Sequence, residues 1–133
     1  MRRQDAISGV AVITGGSQGI GAACVRRFLE KGWRVSTVAL PGDAPQFCSG
    51  PSVLAISGDI TWESVRQELL EQTLERYGRI DVLVNNAGVG MYAPVSSMLL
   101  ESFRLLFEVN VMAALRLTQL VIPIMRRSAP GAL

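Results

Sequence analysis

The chain has 133 residues, 49% of them hydrophobic, with a formal net charge of +2 and two cysteines. These values fit one folded domain, or part of one, and exclude a disordered chain or a disulfide framework. Histidine is absent, which excludes Ser-His-Asp and Cys-His catalysis and His-ligated metal sites, so we expect no bound metal.

The first predicted element is a strand over 9–13, followed by T-G-G-S-Q-G-I-G at 14–21 and then a helix. The strand is a β-branched apolar run, and apolar residues recur at helical spacing after the glycines, at Ile20, Cys24, Val25, Phe28 and Leu29. A strand–glycine turn–helix unit aims backbone N–H groups and the helix dipole at one point, where a phosphate binds. The alternative is a glycine-rich turn with no ligand.

The three spaced glycines of this turn each have an expected role. Gly15 allows a tight turn, Gly19 lets the backbone approach a ligand, and Gly21 lets the helix pack close to the strand. Their spacing, G-x-x-x-G-x-G, is neither the common G-x-G-x-x-G fingerprint nor a P-loop, which would require Gly-Lys-Ser/Thr.

A second strand is predicted over 34–39, and its tip reads Ala39-Leu40-Pro41. In a dinucleotide-binding fold this tip meets the adenosine ribose, with an acid there favouring NAD and an arginine favouring NADP. Neither is present, and Asp43 follows only after a Pro-Gly turn that leaves its reach open. Residues 40–52 contain three prolines and two glycines, which predicts a loop in place of a full crossover helix.

A third strand is predicted over 53–57, followed by Asp59 and by a helix from Thr61, as N-cap, to about Tyr77. Apolar residues of this helix share one face, at Val65, Leu69, Leu70 and Leu74. Charged residues form a second face that we expect to be solvated, at Glu63, Arg66, Glu68, Glu71, Glu75 and Arg76.

A fourth strand over 81–85 leads into N-N-A-G at 85–88, a loop over 89–97 and a long helix over 100–127. Asn110 lies in the middle of that helix, and Pro123 is expected to kink it. The order β-α-β-(short)-β-α-β-α predicts a Rossmann-type, doubly wound parallel sheet with helices on both faces. Strand 4 would then be an open edge.

Four features of the sequence fall at the carboxyl ends of the predicted strands. They are the glycine turn, the tip of strand 2, Asp59, and the segment 85–88. Ligands of doubly wound sheets bind at this edge, so together these features predict a cofactor crevice. Taken singly, Asp59 could merely stabilise a helix N-terminus, and Asn86 could be a turn residue.

These motifs resemble those of the short-chain dehydrogenase/reductase family. The residues that carry the resemblance are 14–21, Asp59-Ile60, 85–88, and Asn110 within Phe107-Glu108-Val109-Asn110-Val111. The resemblance covers nearly the whole chain and implies that 1–133 is an NAD(P)-binding Rossmann domain, incomplete at its carboxyl end. The parent activity it implies is hydride transfer between NAD(P)H and a carbonyl or alcohol substrate.

The family's functional residues transfer to matching positions of this sequence. The resemblance implies a pyrophosphate and nicotinamide-side cradle at Gly15, Ser17, Gln18, Gly19, Ile20 and Gly21. It implies an adenine site at Asp59 and Ile60, with Asp59 accepting from the adenine amino group. It implies that Asn86, Ala87 and Gly88 line the adenosine ribose and the floor, the asparagines also tying strand 4 to its neighbours.

Asn110 resembles the family's catalytic asparagine, whose backbone interrupts the helix and holds a water of a proton relay; the alternative is a polar residue facing solvent. The cofactor is NADP or NAD. The missing acid at Ala39 slightly favours NADP, with Ser17 and Thr37 as candidate contacts of its 2′-phosphate.

The sequence departs from the family in lacking the catalytic serine and Tyr-x-x-x-Lys. Four residues after Tyr77 and Tyr92 stand Asp81 and Ser96, and the single lysine is Lys31. We therefore expect a truncated chain that is not catalytic by itself, and a homo-oligomer formed through the long helix, whose partner elements would be missing.

Two further hypotheses stay open: a non-catalytic nucleotide-binding or subunit-pairing protein, and another α/β cofactor-binding protein such as a methyltransferase. The G-x-x-x-G-x-G spacing with a downstream N-N-A-G disfavours the latter. The scattered charge predicts no nucleic-acid partner, and the absence of a secretory signal pattern or an apolar run long enough for a membrane predicts a cytoplasmic protein. Cys24 and Cys48 form no metal motif and fit a reducing compartment.

Overall fold

The structure is a computed structural model that describes residues 6–43 and 50–128. Four strands form one parallel sheet in the order β3-β2-β1-β4. Their bounds are β1 Val10–Thr14, β2 Arg34–Ala39, β3 Val53–Ser57 and β4 Val82–Val84. The predicted parallel sheet is therefore confirmed, and among the described strands β4 pairs with β1 alone.

Helices cover both faces of the sheet, as predicted. Their bounds are α1 Gly19–Glu30, α2 Glu63–Tyr77, α3 Leu100–Phe107 and α4 Ala113–Ser128, with a 3₁₀ turn at Val95–Ser97. Side chains of β1 alternate between two cores, because successive residues of a strand point to opposite faces. Val12 packs with residues of α2 and α4, whereas Ala11 and Ile13 pack with α1.

The long helix runs without a break from Leu100 to Ser128, because a π-helical turn at Glu108–Met112 joins α3 to α4. It has 29 residues, and an 18-residue stretch within it has a mean hydropathy of 1.6, which is the length and composition of a membrane-spanning helix. The expectation that no apolar run has this length is therefore wrong. Four of its residues pack in the core beneath the sheet: Ala113, Leu117, Val121 and Ile124.

The first half of this helix, with Leu99 before it, exposes large apolar side chains and buries none of its residues before Ala113. We call this exposed apolar surface the helix face; it comprises Leu99, Leu100, Phe103, Leu105, Phe107, Val111, Met112 and Leu115. Phe103 and Phe107 lie 5.1 Å apart between ring centroids, so they form a continuous aromatic patch. An apolar surface of this extent is unusual on a monomeric soluble protein.

Two side chains were placed on the wrong face by the sequence pattern. Ile20, predicted to face the core of α1, is 77% exposed. Arg66, predicted to be solvated, is 8% exposed, and its Nη1 donates to Ile60 O at 2.6 Å. That backbone carbonyl gives the guanidinium a hydrogen-bond partner inside the protein, which offsets part of the free-energy cost of burying it.

Glu63 links α2 to α4. Its carboxylate accepts from Arg116 Nη2 at 2.8 Å and from Arg66 Nη2 at 2.7 Å. Hydrogen bonds from Arg116 and then Arg66 lower the pKa of Glu63 to about 2. The carboxylate is therefore charged throughout the neutral range and holds the two helices together electrostatically.

The start of α2 and the loop before it also differ from expectation. The N-cap of α2 is Trp62, not Thr61. Thr61 instead donates from its backbone N and its Oγ1 to Asp59 Oδ1, at 2.9 and 2.7 Å. The predictions for Cys48 and for the rest of 44–49 in the loop over 40–52 lie outside the described residues.

Candidate functional site

The glycine turn after β1 is fastened to β2 by two hydrogen bonds. Gly15 N donates to Val38 O at 2.8 Å, and Gly16 N donates to Thr37 Oγ1 at 3.1 Å. Thr37 is 5% exposed, and its oxygen is engaged by the turn. The hydroxyl of Thr37 therefore positions the turn, and its suggested contact with a 2′-phosphate stays a prediction.

The three spaced glycines are each required by the geometry. Gly15 and Gly19 have φ of +69° and +56°, a region that disfavours side chains. A Cβ at Gly21 would collide with Gly15 O and with the Asn86 side chain, so close packing of α1 on the turn is confirmed. A Cβ at Gly19 would meet no protein atom within 4 Å, which leaves that backbone open to a ligand. The sequence pattern missed Gly16, where a Cβ would collide with Thr37.

The N-terminus of α1 faces the open side of this turn. Gln18 is its N-cap residue and makes no side-chain capping hydrogen bond, and the first turn of α1 carries no acidic residue. Uncapped N–H groups and the positive end of the helix dipole are therefore available to an anion. With the space at Gly19, this cradle fits a pyrophosphate.

Thr14 and Asn86 join the glycine turn to the end of β4. Thr14 is 2% exposed, and its Oγ1 accepts from Asn86 N at 3.1 Å and from Ala87 N at 2.9 Å. In return, Asn86 Nδ2 donates to Thr14 O and Gly15 O, each at 3.1 Å. The predicted role of Asn86 in tying β4 to β1 is confirmed, and Thr14 emerges as a positioning residue that the motif reading did not single out.

Asn85 and Asn110 fasten the other side of this segment. Asn85 Nδ2 donates to Thr118 Oγ1 of α4 at 3.0 Å. Asn110 lies in the π-helical turn, where its Oδ1 accepts from Val89 N and its Nδ2 donates to Val89 O, both at 2.8 Å. The side chain of Asn110 thus pairs with the backbone of the loop after β4, which differs from a residue that merely faces solvent.

The end of β3 contributes Asp59 and Ile60. The backbone N and the Oγ1 of Thr61 both donate to Asp59 Oδ1, and these two hydrogen bonds fix the orientation of the carboxylate. Ile60 is 7% exposed and belongs to the core beneath the sheet. An oriented acceptor beside an apolar side chain is suited to a flat ring with an amino group.

These elements enclose one crevice at the carboxyl ends of the strands. Eight of the predicted site residues line it: Gly15, Ser17, Gln18, Asp59, Ile60, Asn86, Ala87 and Gly88. Ala39 and Leu40, from the predicted tip of strand 2, also line it, as does Asp43, whose reach the sequence left open. The rest of the lining was not predicted: Val38, Gly58, Val89, Leu105 and Val109. Gly19, Ile20 and Gly21 lie outside the lining, and Asn110 adjoins it through Val89. Binding of a cofactor by these residues stays a prediction.

Asp43 is the lining residue whose position the sequence left open. Its backbone N donates to Leu40 O at 3.1 Å, which closes a turn with Pro41 second and Gly42, at φ +94°, third. This is the signature of a type II turn. The sequence therefore signalled the turn through Pro-Gly. The direction in which the turn points the side chain of Asp43 depends on the path of the surrounding chain.

A family model described as "short chain dehydrogenase" matches residues 9–133. L-fucose dehydrogenase from Mus musculus is 40% identical over 127 residues, which cover 90% of this chain and 45% of that protein. The chain spans about half the length of the curated relatives it matches.

Solved structures with a similar fold include two with nicotinamide dinucleotides bound. A 3-ketoacyl-(acyl-carrier-protein) reductase from Brucella melitensis, complexed with NADH, superposes with a TM-score of 0.85 at 30% identity, over 91% of this chain and 51% of that one. A blue fluorescent protein from a metagenomic library, in complex with NADPH, gives 0.81 at 29% identity, over 89% and 51%.

Proposed function

Because the chain belongs to the short chain dehydrogenase family, we propose that it is the dinucleotide-binding part of an oxidoreductase that transfers hydride between NAD(P)H and a carbonyl or alcohol substrate. One observation carries this proposal. The glycine turn, Asp59 and the segment from Asn86 to Gly88 converge on one crevice at the carboxyl ends of the sheet. Two relatives of the fold are complexed with NADH and NADPH, respectively.

The cradle at the start of α1 would hold the pyrophosphate through backbone N–H groups at Ser17, Gln18 and Gly19. Asp59 would accept from the adenine amino group, and Ile60 would pack on the ring. The backbone around Asn86 would line the adenosine ribose and carry the chain toward the nicotinamide. These assignments follow the lining of the crevice and the resemblance of its motifs.

When bound, the nicotinamide ring would supply or accept the hydride. Asn110 is the residue of this chain that we place in the proton path of that reaction. Its side chain is held by both hydrogen bonds to Val89, and the π-helical turn around it shifts the helix hydrogen bonds and changes which carbonyls are free. The 133 residues contain no Tyr-x-x-x-Lys, so the acid that protonates substrate would come from residues outside this sequence.

A second candidate function is subunit pairing, which the helix face favours. Its exposed leucine, phenylalanine and valine side chains would be covered by another copy of the chain, which gives a homo-oligomer. Such pairing is compatible with nucleotide binding, because most of this surface lies away from the crevice. The mass of the chain in solution distinguishes a paired homo-oligomer from a monomer that only binds nucleotide.

The proposed function is tested by titrating the purified chain with NADH and following nicotinamide fluorescence. We expect saturable binding that is lost in Gly19→Val, because a side chain there fills the space open to the pyrophosphate. Gly78→Val is the matched control, since Gly78 ends α2 with φ +74° and also has no protein atom within 4 Å of a Cβ. It carries similar backbone strain away from the crevice and should bind normally.

Asp59→Ala tests the other end of the crevice and should weaken NADH binding about tenfold, the effect of one charge-assisted hydrogen bond. Absence of NADH and NADPH binding by the folded wild-type chain would refute the proposal. If Gly19→Val and Gly78→Val lose NADH binding equally, the loss comes from backbone strain. The assignment of the glycine turn as a pyrophosphate cradle would then be refuted.

A further inference from the structure

Asp43 stands four residues beyond the end of β2, yet it lines the crevice beside Ser17. The turn Leu40–Asp43 accounts for this position. The bond from Asp43 N to Leu40 O reverses the chain at Pro41-Gly42 and returns the side chain of Asp43 to the tip of the strand. A carboxylate is thus placed at the tip of β2, where Ala39 supplies none.

The contact between Asp43 and Ser17 leaves most of the carboxylate free. Ser17 Oγ donates to Asp43 Oδ2 at 3.5 Å, a long hydrogen bond, and Ser17 is buried whereas Asp43 is exposed. A carboxylate offers about four acceptor positions. Its remaining positions are suited to the two adjacent hydroxyls of a ribose, on the side of the carboxylate that does not face Ser17.

The charge around this end of the crevice disfavours a phosphate monoester. Among the described residues that line the crevice there is no lysine or arginine, and its charged groups are Asp43 and Asp59. The sequence from 40 to 52 also contains no basic residue. A 2′-phosphate, with a charge of about −1.5 to −2, would therefore meet Asp43 without a compensating cation.

We propose that Asp43, presented by the Leu40–Asp43 turn beside Ser17, binds the 2′- and 3′-hydroxyls of the adenosine ribose and selects NAD(H) over NADP(H). The inference rests on the proposed function, because it requires a dinucleotide in the crevice. It reverses the slight preference for NADP drawn from the missing acid at Ala39. The selecting acid lies on the turn after the strand instead of on the strand itself.

The test compares NADH with NADPH, and ADP-ribose with its 2′-phosphate, on the 133-residue chain by fluorescence and calorimetry. For the wild type we expect both unphosphorylated ligands to bind on the order of tenfold to a hundredfold tighter. Asp43→Asn keeps the size of the side chain and removes its charge, so it should bring the ratio close to one, mostly by tightening NADPH. Gly42→Ala, which strains the turn at φ +94°, should also lower the ratio.

Glu71→Gln is the control for net charge, because Glu71 is exposed on α2 and does not line the crevice. It should leave the ratio unchanged. The inference is overturned if wild type binds NADPH as tightly as NADH, or if Asp43→Asn leaves the ratio at its wild-type value. If both nucleotides bind but NADH is not preferred, the proposed function stands and only this inference is overturned. If neither nucleotide binds, the proposed function and this inference are overturned together.

Discussion

Replacing Thr14 with valine removes the hydroxyl that joins the glycine turn to the end of β4 without changing the volume of the side chain greatly. The two backbone N–H groups of Asn86 and Ala87 then lose their acceptor, at 3.1 and 2.9 Å in the wild type. Each lost bond costs about 1 kcal/mol when the donor stays partly buried. We therefore expect the free energy of unfolding to fall by about 2 kcal/mol.

Urea denaturation measures this change directly. With a slope of roughly 1–3 kcal/mol per molar urea, the midpoint should fall by about 1 M while the slope stays constant. Amide hydrogen exchange gives a local readout, since the N–H groups of Asn86 and Ala87 should exchange faster in Thr14→Val. NADH affinity should fall as well, because the floor of the crevice is no longer held against the turn.

Thr14→Ser is the matched control, because it keeps the acceptor and loses only a methyl group. It should lose about 1 kcal/mol through burial while retaining slow exchange at both amides. If Thr14→Val keeps the wild-type urea midpoint and the protection of those amides, the Thr14 hydroxyl does not hold the two rims together and this account of the site is wrong.

Three further results are expected. Gly21→Ala should lower the free energy of unfolding by about 2 kcal/mol in urea titrations, because the added Cβ collides with the turn; an unchanged midpoint would contradict the close packing of α1. Glu63→Gln should be less stable than wild type at pH 7, and the difference should shrink as pH falls from 4.5 toward 2. The sign follows because the bond to Arg116 lowers the pKa of Glu63, so the stabilisation exists above its unfolded value and is lost on protonation; a difference that persists at pH 2 would refute it. Phe107→Glu and Leu115→Glu should convert an oligomeric chain to monomer in light scattering, whereas a monomeric wild type would show that the helix face does not pair copies of the chain.

The strands and the site at their ends were predictable because their signals are local. A buried parallel strand is an apolar, β-branched run, and the crossover rule then brings all carboxyl ends to one edge. Gly15 and Gly21 could be assigned because a glycine between a strand and a helix has few other reasons to be there. The comparisons with known proteins confirm the family that these motifs resemble.

The positions that the sequence left wrong or open depend on hydrogen bonds that residue spacing does not record. Arg66 follows the same helical spacing as solvated charges, and only the path of the preceding loop places a carbonyl within its reach. Thr37 looks like a free hydroxyl until the glycine turn is known to donate to it. The Leu40–Asp43 turn places Asp43, and the spacing of apolar residues does not predict which way that turn points. Three hydrogen bonds decided these positions, from Arg66 to Ile60 O, from Gly16 N to Thr37 Oγ1, and from Asp43 N to Leu40 O.

The hydrogen bonds between Thr14 and Asn86 join residues 72 positions apart, whereas the bond from Gly16 to Thr37 spans 21. Closing the longer loop costs about 4 kcal/mol of chain entropy. During folding, the half of the crevice built on β1 and β2 can therefore form early, and the half contributed by β4 completes it late. A dinucleotide that touches both halves binds only the closed chain, so it should slow unfolding far more than it speeds folding.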